Sequence, residues 1–211
     1  MTTEQSDQPL TDYALSLLDN IWMKTEEYDK AIEVYSEYIG AHPGSGFAIH
    51  LLAIHFWYSS RYQQALEDYN RVLELAPNDP LILLGRGQVY VEMGQPFEAA
   101  SDMEKSVSLL NQNPDNREPF WRDAQAYAHN GLGAALALVG DIPRAFQEFE
   151  LSITLQPENG WVYFNRAKTM EKIGETSNAL VDYKKSLACE NPKLTPIKRA
   201  YAASKIGQLT P

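Results

Sequence analysis

Apolar positions along the chain follow a helical rhythm, not the alternation of strands. Leu15, Leu18 and Trp22 fall at three- and four-residue steps, as do Ile49, Leu52 and Phe56, and that spacing predicts amphipathic helices. The rhythm also has a longer period. An Ala at the centre of an amphipathic segment recurs at Ala31, Ala65, Ala99, Ala145 and Ala179, with separations of 34, 34, 46 and 34 residues. Four positions after each Ala stands a large side chain: Tyr35, Tyr69, Met103, Phe149 and Tyr183. Twelve positions after it, three copies carry Pro43, Pro77 and Pro157, while Asn111 and Asn191 stand in the others with Pro114 and Pro192 slightly later. Each unit therefore ends in a helix and its terminator.

A second helix precedes each of these. Its further copies read Leu83, Gly87, Tyr90, then Leu132, Gly133, Leu136, then Tyr163, Ala167, Met170, with a small residue where a partner helix approaches. Gly94, Gly140 and Gly174 close that helix in the last three copies, as suits a left-handed C-terminal turn. Pro96 and Pro143 stand just before the next helix, where a missing backbone N–H costs little.

This arrangement closely resembles the tetratricopeptide repeat, W-x2-L-G-x2-Y, then A-x3-F, then P. The copy GLGAALALVGDIPRAFQEFELSITLQP matches it almost completely. The register gives repeats at 12–45, 46–79, 80–113, 126–159 and 160–193, with an insertion at 114–125 and a flexible N-terminus at 1–11. The resemblance implies an all-α, right-handed superhelix of five helix-turn-helix repeats, an α-α solenoid. Residues 194–211 would cap it with a helix starting near Pro196, carrying Ala200, Tyr201, Ala203 and Ile206 on one side and Lys198, Arg199 and Lys205 on the other. The first copy departs from the pattern, with Asp19 and Glu26 where Gly is usual.

In this family the first helices line a concave groove that takes peptides, and repeat positions 2, 5, 6, 9, 12 and 13 point into it. The resemblance carries those positions onto Asn20 of the first copy, onto Phe47, His50, Leu51, Ile54, Trp57 and Tyr58 of the second, and onto Leu84 and Gln88 of the third. It adds Tyr127 and Asn130 of the fourth copy, and Trp161, Phe164, Asn165 and Lys168 of the fifth. Glu92 and Glu171 occupy equivalent positions. The groove so expected is aromatic and aliphatic with few charges, as an interaction site would be.

One branch of the family clamps acidic chaperone tails between Lys and Arg side chains. Here those positions hold residues such as Ser16, Leu51, Leu81 and Gly85, or His50, Ile54 and Tyr127, and no register places a cation where a carboxylate needs one. The insertion PDNREPFWRDAQ opens as a turn and could begin an extended first helix for the fourth repeat at Glu118-Pro119. Phe120 and Trp121 would then either plug the joint between repeats or lean over the groove as a gate.

Composition sharpens the picture only in part. Among 211 residues 44% are apolar and 22% charged, with a single Cys, which sets aside disorder and a disulfide scaffold. No stretch approaches the roughly 20 apolar residues of a membrane span, and the polar N-terminus shows no readable leader, so a cytoplasmic protein is expected. The net charge of −10 is uneven: residues 1–45 hold nine acidic and two basic residues, while 160–211 hold nine basic and four acidic. Nucleic-acid binding, which needs a coherent basic surface, is disfavoured, and weak self-association through complementary ends is possible.

Of four histidines, His50 and His55 lie five apart on one helix, unlike the four-residue spacing of a metal pair. His42 and His129 stand apart from them, and no nucleophile elbow, phosphate loop or Cys/His cluster is present. No cofactor and no catalysis are expected. The expected function is a non-catalytic protein-interaction module holding a protein or peptide segment. A chaperone for a secreted or membrane-destined client and an assembly subunit joined through charged ends are the alternatives.

Overall fold

A computed structural model describes residues 11–112, 118–189 and 194–210. Residues 1–10 of the expected flexible terminus, 114–117 of the insertion, and the expected terminator of the fifth repeat at Asn191 and Pro192 lie outside them. All regular structure among the described residues is helical: α1 (Asp12–Thr25), α2 (Tyr28–Ala41), α3 (Gly46–Tyr58), α4 (Tyr62–Leu75), α5 (Pro80–Glu92), α6 (Pro96–Gln112), α7 (Pro119–Val139), α8 (Ile142–Leu155), α9 (Gly160–Lys172), α10 (Thr176–Ala188) and α11 (Pro196–Leu209). The chain divides into two compact units, Met1–Pro77 with α1 to α4 and Asn78–Pro211 with α5 to α11.

The first helix of most pairs starts on a side-chain cap. Thr11 accepts from the Ala14 N–H, Ser45 from Ala48, Asp79 from Leu81 and Ile82, and Asn159 from Trp161, satisfying donors that a helix start leaves bare. The exception is α7, which begins at Glu118-Pro119 without a side-chain cap. Its first turns are thus built from the second half of the insertion. Trp121 packs against Leu110, Ala124 and Ala128, whereas Phe120 is exposed, so the joint takes one of the two aromatics and solvent the other.

Within each pair the packing follows from two positions. Ala31, Ala65, Ala99, Ala145 and Ala179 are all fully buried, and so are Tyr35, Met103, Phe149 and Tyr183, with Tyr69 nearly so. The large side chain fills the gap left by a small residue on the first helix. In the fourth repeat the fit leaves no slack, because a Cβ on Gly133 would lie 2.7 Å from the Phe149 ring and 3.0 Å from the Ala145 carbonyl oxygen. Gly87 faces the Met103 side chain instead, at 2.8 Å.

The first repeat solves the same contact differently. Asp19 stands at the small-residue position and accepts a 2.9 Å hydrogen bond from the Tyr35 hydroxyl, with His55 Nε2 at 2.7 Å. A buried polar cluster thus joins α1, α2 and α3. The Tyr35 hydroxyl is pushed well above its ordinary pKa by burial, then by the Asp19 carboxylate, so it remains a donor. Glu26, the other departure, takes the left-handed turn itself at φ 59, and Ser60 does so in the second repeat at φ 63. Gly94, Gly140 and Gly174 hold the equivalent turns in the rest.

These contacts set apart two substitutions of the same type. Gly133→Ala should destabilise the fold by about 1 to 3 kcal/mol, because an aromatic ring and a backbone carbonyl must both give way. Gly87→Ala should cost less, because the thioether bends aside and Ala favours helix. Urea denaturation of the two variants measures the difference.

Candidate functional site

In the first unit the candidate surface is built on α3. Its core side is Ala48, Ile49, Leu52, Ala53, His55 and Phe56. What remains is Phe47, His50, Leu51, Ile54, Trp57 and Tyr58, so the helix has no charged side chain on any side. Phe47 is 41% exposed, and Leu51, Ile54 and Trp57 are half-buried. Members of the set already have ring partners within the unit, Trp57 against Tyr58 among them. The His50 ring lies 6.0 Å from that of Tyr69, and Tyr58 stacks on Tyr28 at 5.5 Å. Burial, then the neighbouring Tyr28 and Asp19, push the Tyr58 hydroxyl up to about 12. Asn20 is exposed on α1, with its amide donating to the Ser16 carbonyl at 2.8 Å.

In the second unit the candidate residues lie deeper. Leu84 packs against the apolar clusters that contain Leu132, Phe149 and Leu110. Gln88, Asn130, Trp161 and Phe164 are all buried. Two contacts bring α7 and α9 together: Asn165 Nδ2 donates to Asn130 Oδ1 at 3.0 Å, and the Tyr127 and Trp161 rings stand 6.3 Å apart. Lys168 is exposed, with its ammonium 5.9 Å from the rings of both Phe164 and Tyr201.

Tyr201 belongs to α11, and here the sequence expectation is corrected. Of the apolar side, Ala200 and Ala203 are exposed and Ile206 is half-buried, while the Tyr201 ring faces Phe164 and Tyr183, and the residue fully buried is Ala202. Lys198 and Lys205, expected on the side opposite Tyr201, turn inward with it. Lys198 pairs with Glu92 of α5 and stands 5.2 Å over the Trp161 ring, and Lys205 pairs with Glu171 of α9. The physical reason is the acidic and aromatic surface that meets them. An ammonium over an indole, paired with a carboxylate, is held better than in open water, whereas Ala and Ile offer that surface little.

Glu171 joins three helices. It receives the Tyr183 hydroxyl of α10 at 2.8 Å as well as the Lys205 ammonium. Burial alone would raise its pKa, but the hydrogen bonds from Lys205 and Tyr183 outweigh that and hold it below the ordinary 4.5. Burial, then Glu171, drive the Tyr183 hydroxyl well up. Sequence reasoning missed this arrangement although its signal was present. Lys198, Tyr201, Ala202 and Lys205 are spaced i, i+3, i+4, i+7, one stripe of a helix.

The remaining polar clusters are structural in form. Arg86 and Asp102 pair through two hydrogen bonds, as do Arg166 and Asp182, each linking the helices of one repeat. His129 is buried with Nδ1 2.6 Å from Glu148. Among the described residues no group of three or more His, Cys, Asp or Glu side chains is arranged to hold a metal ion.

Comparison with known proteins points one way. A family profile described as TPR repeat matches residues 58–94. Tetratricopeptide repeat protein 8 of Caenorhabditis elegans is 22% identical over 153 residues, covering 72% of this chain and 28% of its own length. The chain spans 28%, 33% and 45% of the lengths of three curated relatives it matches. Among solved structures, a thermophilic TPR protein from Thermus thermophilus matches with a TM-score of 0.68 at 18% identity, covering 93% of this chain and 99% of its own. YrrB, described as a TPR protein with an unusual peptide-binding site, matches with a TM-score of 0.54 at 16% identity and 92% coverage of both chains.

The lowered pKa of Glu171 gives a pH dependence with a definite sign. A carboxylate whose pKa falls on folding stabilises the folded contact above its ordinary pKa, and that contribution is lost as pH drops through the lowered value. The seating of α11 should therefore be complete above pH 4.5 and loosen below it. Amide chemical shifts of α11, followed by NMR through that window, should move with Glu171, and in Glu171→Gln they should already be displaced at neutral pH.

Proposed function

Because the chain is a tetratricopeptide-repeat protein, we propose that it acts as a non-catalytic protein-interaction module. Each unit offers its own first helices to a protein or peptide segment: α3 in the one, and α5, α7 and α9 in the other. The observation that carries this reading is α3. A helix with no Asp, Glu, Lys or Arg on any side belongs in a core or against a partner, and here Phe47 is 41% exposed beside half-buried Leu51, Ile54 and Trp57. Exposed aromatic and aliphatic side chains grouped in this way are the usual anchors of recognition. The peptide-binding site described for YrrB, a structural neighbour, supports a peptide or protein segment as the kind of partner.

An adaptor or scaffold working in the cytoplasm fits the other features. Cys189 is a buried free thiol, at ease in a reducing compartment, and no described helix is long and apolar enough to cross a membrane. The alternatives are a client chaperone, which would use the same apolar surface, and an assembly subunit, which would join through charged ends.

Leu51→Glu puts a charge into the middle of the α3 surface without touching its core side. The variant should keep its thermal unfolding midpoint while losing at least tenfold in affinity for the partner captured by the wild-type chain from its native cell. Unchanged capture would remove α3 from the binding surface.

A further inference from the structure

Helix α11 is held to its unit by chemistry unlike that of the others. Its inward stripe contains one fully buried apolar side chain, Ala202, where α7 buries Ala124, Leu132 and Leu136 among many. In place of an apolar seam it offers two ammonium groups and a phenol. Lys198 meets Glu92 and the Trp161 ring, Lys205 meets Glu171, and the Tyr201 ring stands 5.9 Å from Phe164 and 6.2 Å from Tyr183. A helix that only closed the end of a stack would touch the last pair. Lys198 instead reaches α5, 106 positions earlier in the chain.

The residues it meets are candidate groove positions. Trp161 and Phe164 are expected groove residues, and Glu92 and Glu171 occupy equivalent repeat positions. We infer that this face of the second unit is an acceptor for a cationic helical segment, that α11 is its built-in occupant, and that the partner it takes carries two basic residues seven apart flanking an aromatic and a small residue. The inference rests on the interaction-module reading and specifies the partner's chemistry.

The contacts favour exchange over permanence. Both lysine pairs remain partly open to solvent, with side-chain exposures of 15% and 22% for Lys198 and Glu92 and of 22% and 24% for Lys205 and Glu171. Pairs that still meet water are weakened by salt, less than fully exposed ones, and lifting α11 uncovers little apolar surface of its own. To these contacts its tether adds a high effective concentration over a competitor in solution. A partner with the same stripe competes for the same carboxylates and rings.

The test uses the full chain, as wild type and as Lys198→Gln/Lys205→Gln, and two fluorescent peptides of sequence 196–209, one native and one with both lysines replaced by Gln. The native peptide should bind the double variant at least tenfold more tightly than the wild type at low salt, and this binding should fall as salt is raised. Hydrogen exchange should show α11 opening faster in the double variant while α10 keeps its protection. Equal binding of the native peptide to both proteins overturns the inference, as does unchanged protection of α11. Equal binding of the uncharged peptide also overturns it, but leaves the face standing as an apolar interaction surface.

Discussion

The architecture depends on the contact between a small residue on the first helix of each repeat and a large one on the second. Phe149 against Gly133 and Met103 against Gly87 are versions of one fit, and Tyr183 and Ala167, at the same repeat positions, are both fully buried. Close approach of two helices is what lets a 34-residue unit bury a core at all, and since no unit is large enough to be stable alone, its neighbours must complete that core. Everything outward of this contact, including the surface offered to a partner, is placed by it.

Where the fit changes, the chemistry around it changes too. The first repeat lacks the small residue and replaces the intimate contact with the Asp19, Tyr35 and His55 cluster, trading dispersion for hydrogen bonds. Such a cluster is costly to break, because each partner removed leaves a buried group unsatisfied. It also fixes α1 by a few directional contacts, alongside the buried Leu15 and Trp22. The last helix follows a similar logic at the other end of the chain, held by charge and aromatic faces more than by burial.

Much of the fold was legible in the sequence because it repeats. One Ala-x3-large register over five copies disclosed the helix pairs, and Gly94, Gly140 and Gly174 stand in the left-handed turns that their type suggests. Less of the candidate site was legible. Repeat positions named residues such as Trp161, Phe164 and Asn130, but they carry no information on burial, and these three are covered while Phe47 and Asn20 are open. The inward stripe of α11 was misread because hydropathy assigns lysine to solvent. That rule fails where carboxylates and aromatic faces line the opposing surface, and only the fold brings Glu92 and Glu171 to one helix. The same long side chains that snorkel elsewhere are here the points of attachment.

Two kinds of surface follow from these differences. On α3, apolar side chains remain partly open with no charge among them, whereas the equivalent helices of the second unit carry an acidic and aromatic face already matched by a cationic helix. The central claim is that this match exists in solution, and the Lys198 side chain reports on it directly. With its ammonium 5.2 Å over the Trp161 ring, the terminal methylene protons should show an upfield ring-current shift in the proton NMR spectrum, abolished by Trp161→Leu. Methylene shifts at the value of a freely solvated lysine would contradict the account.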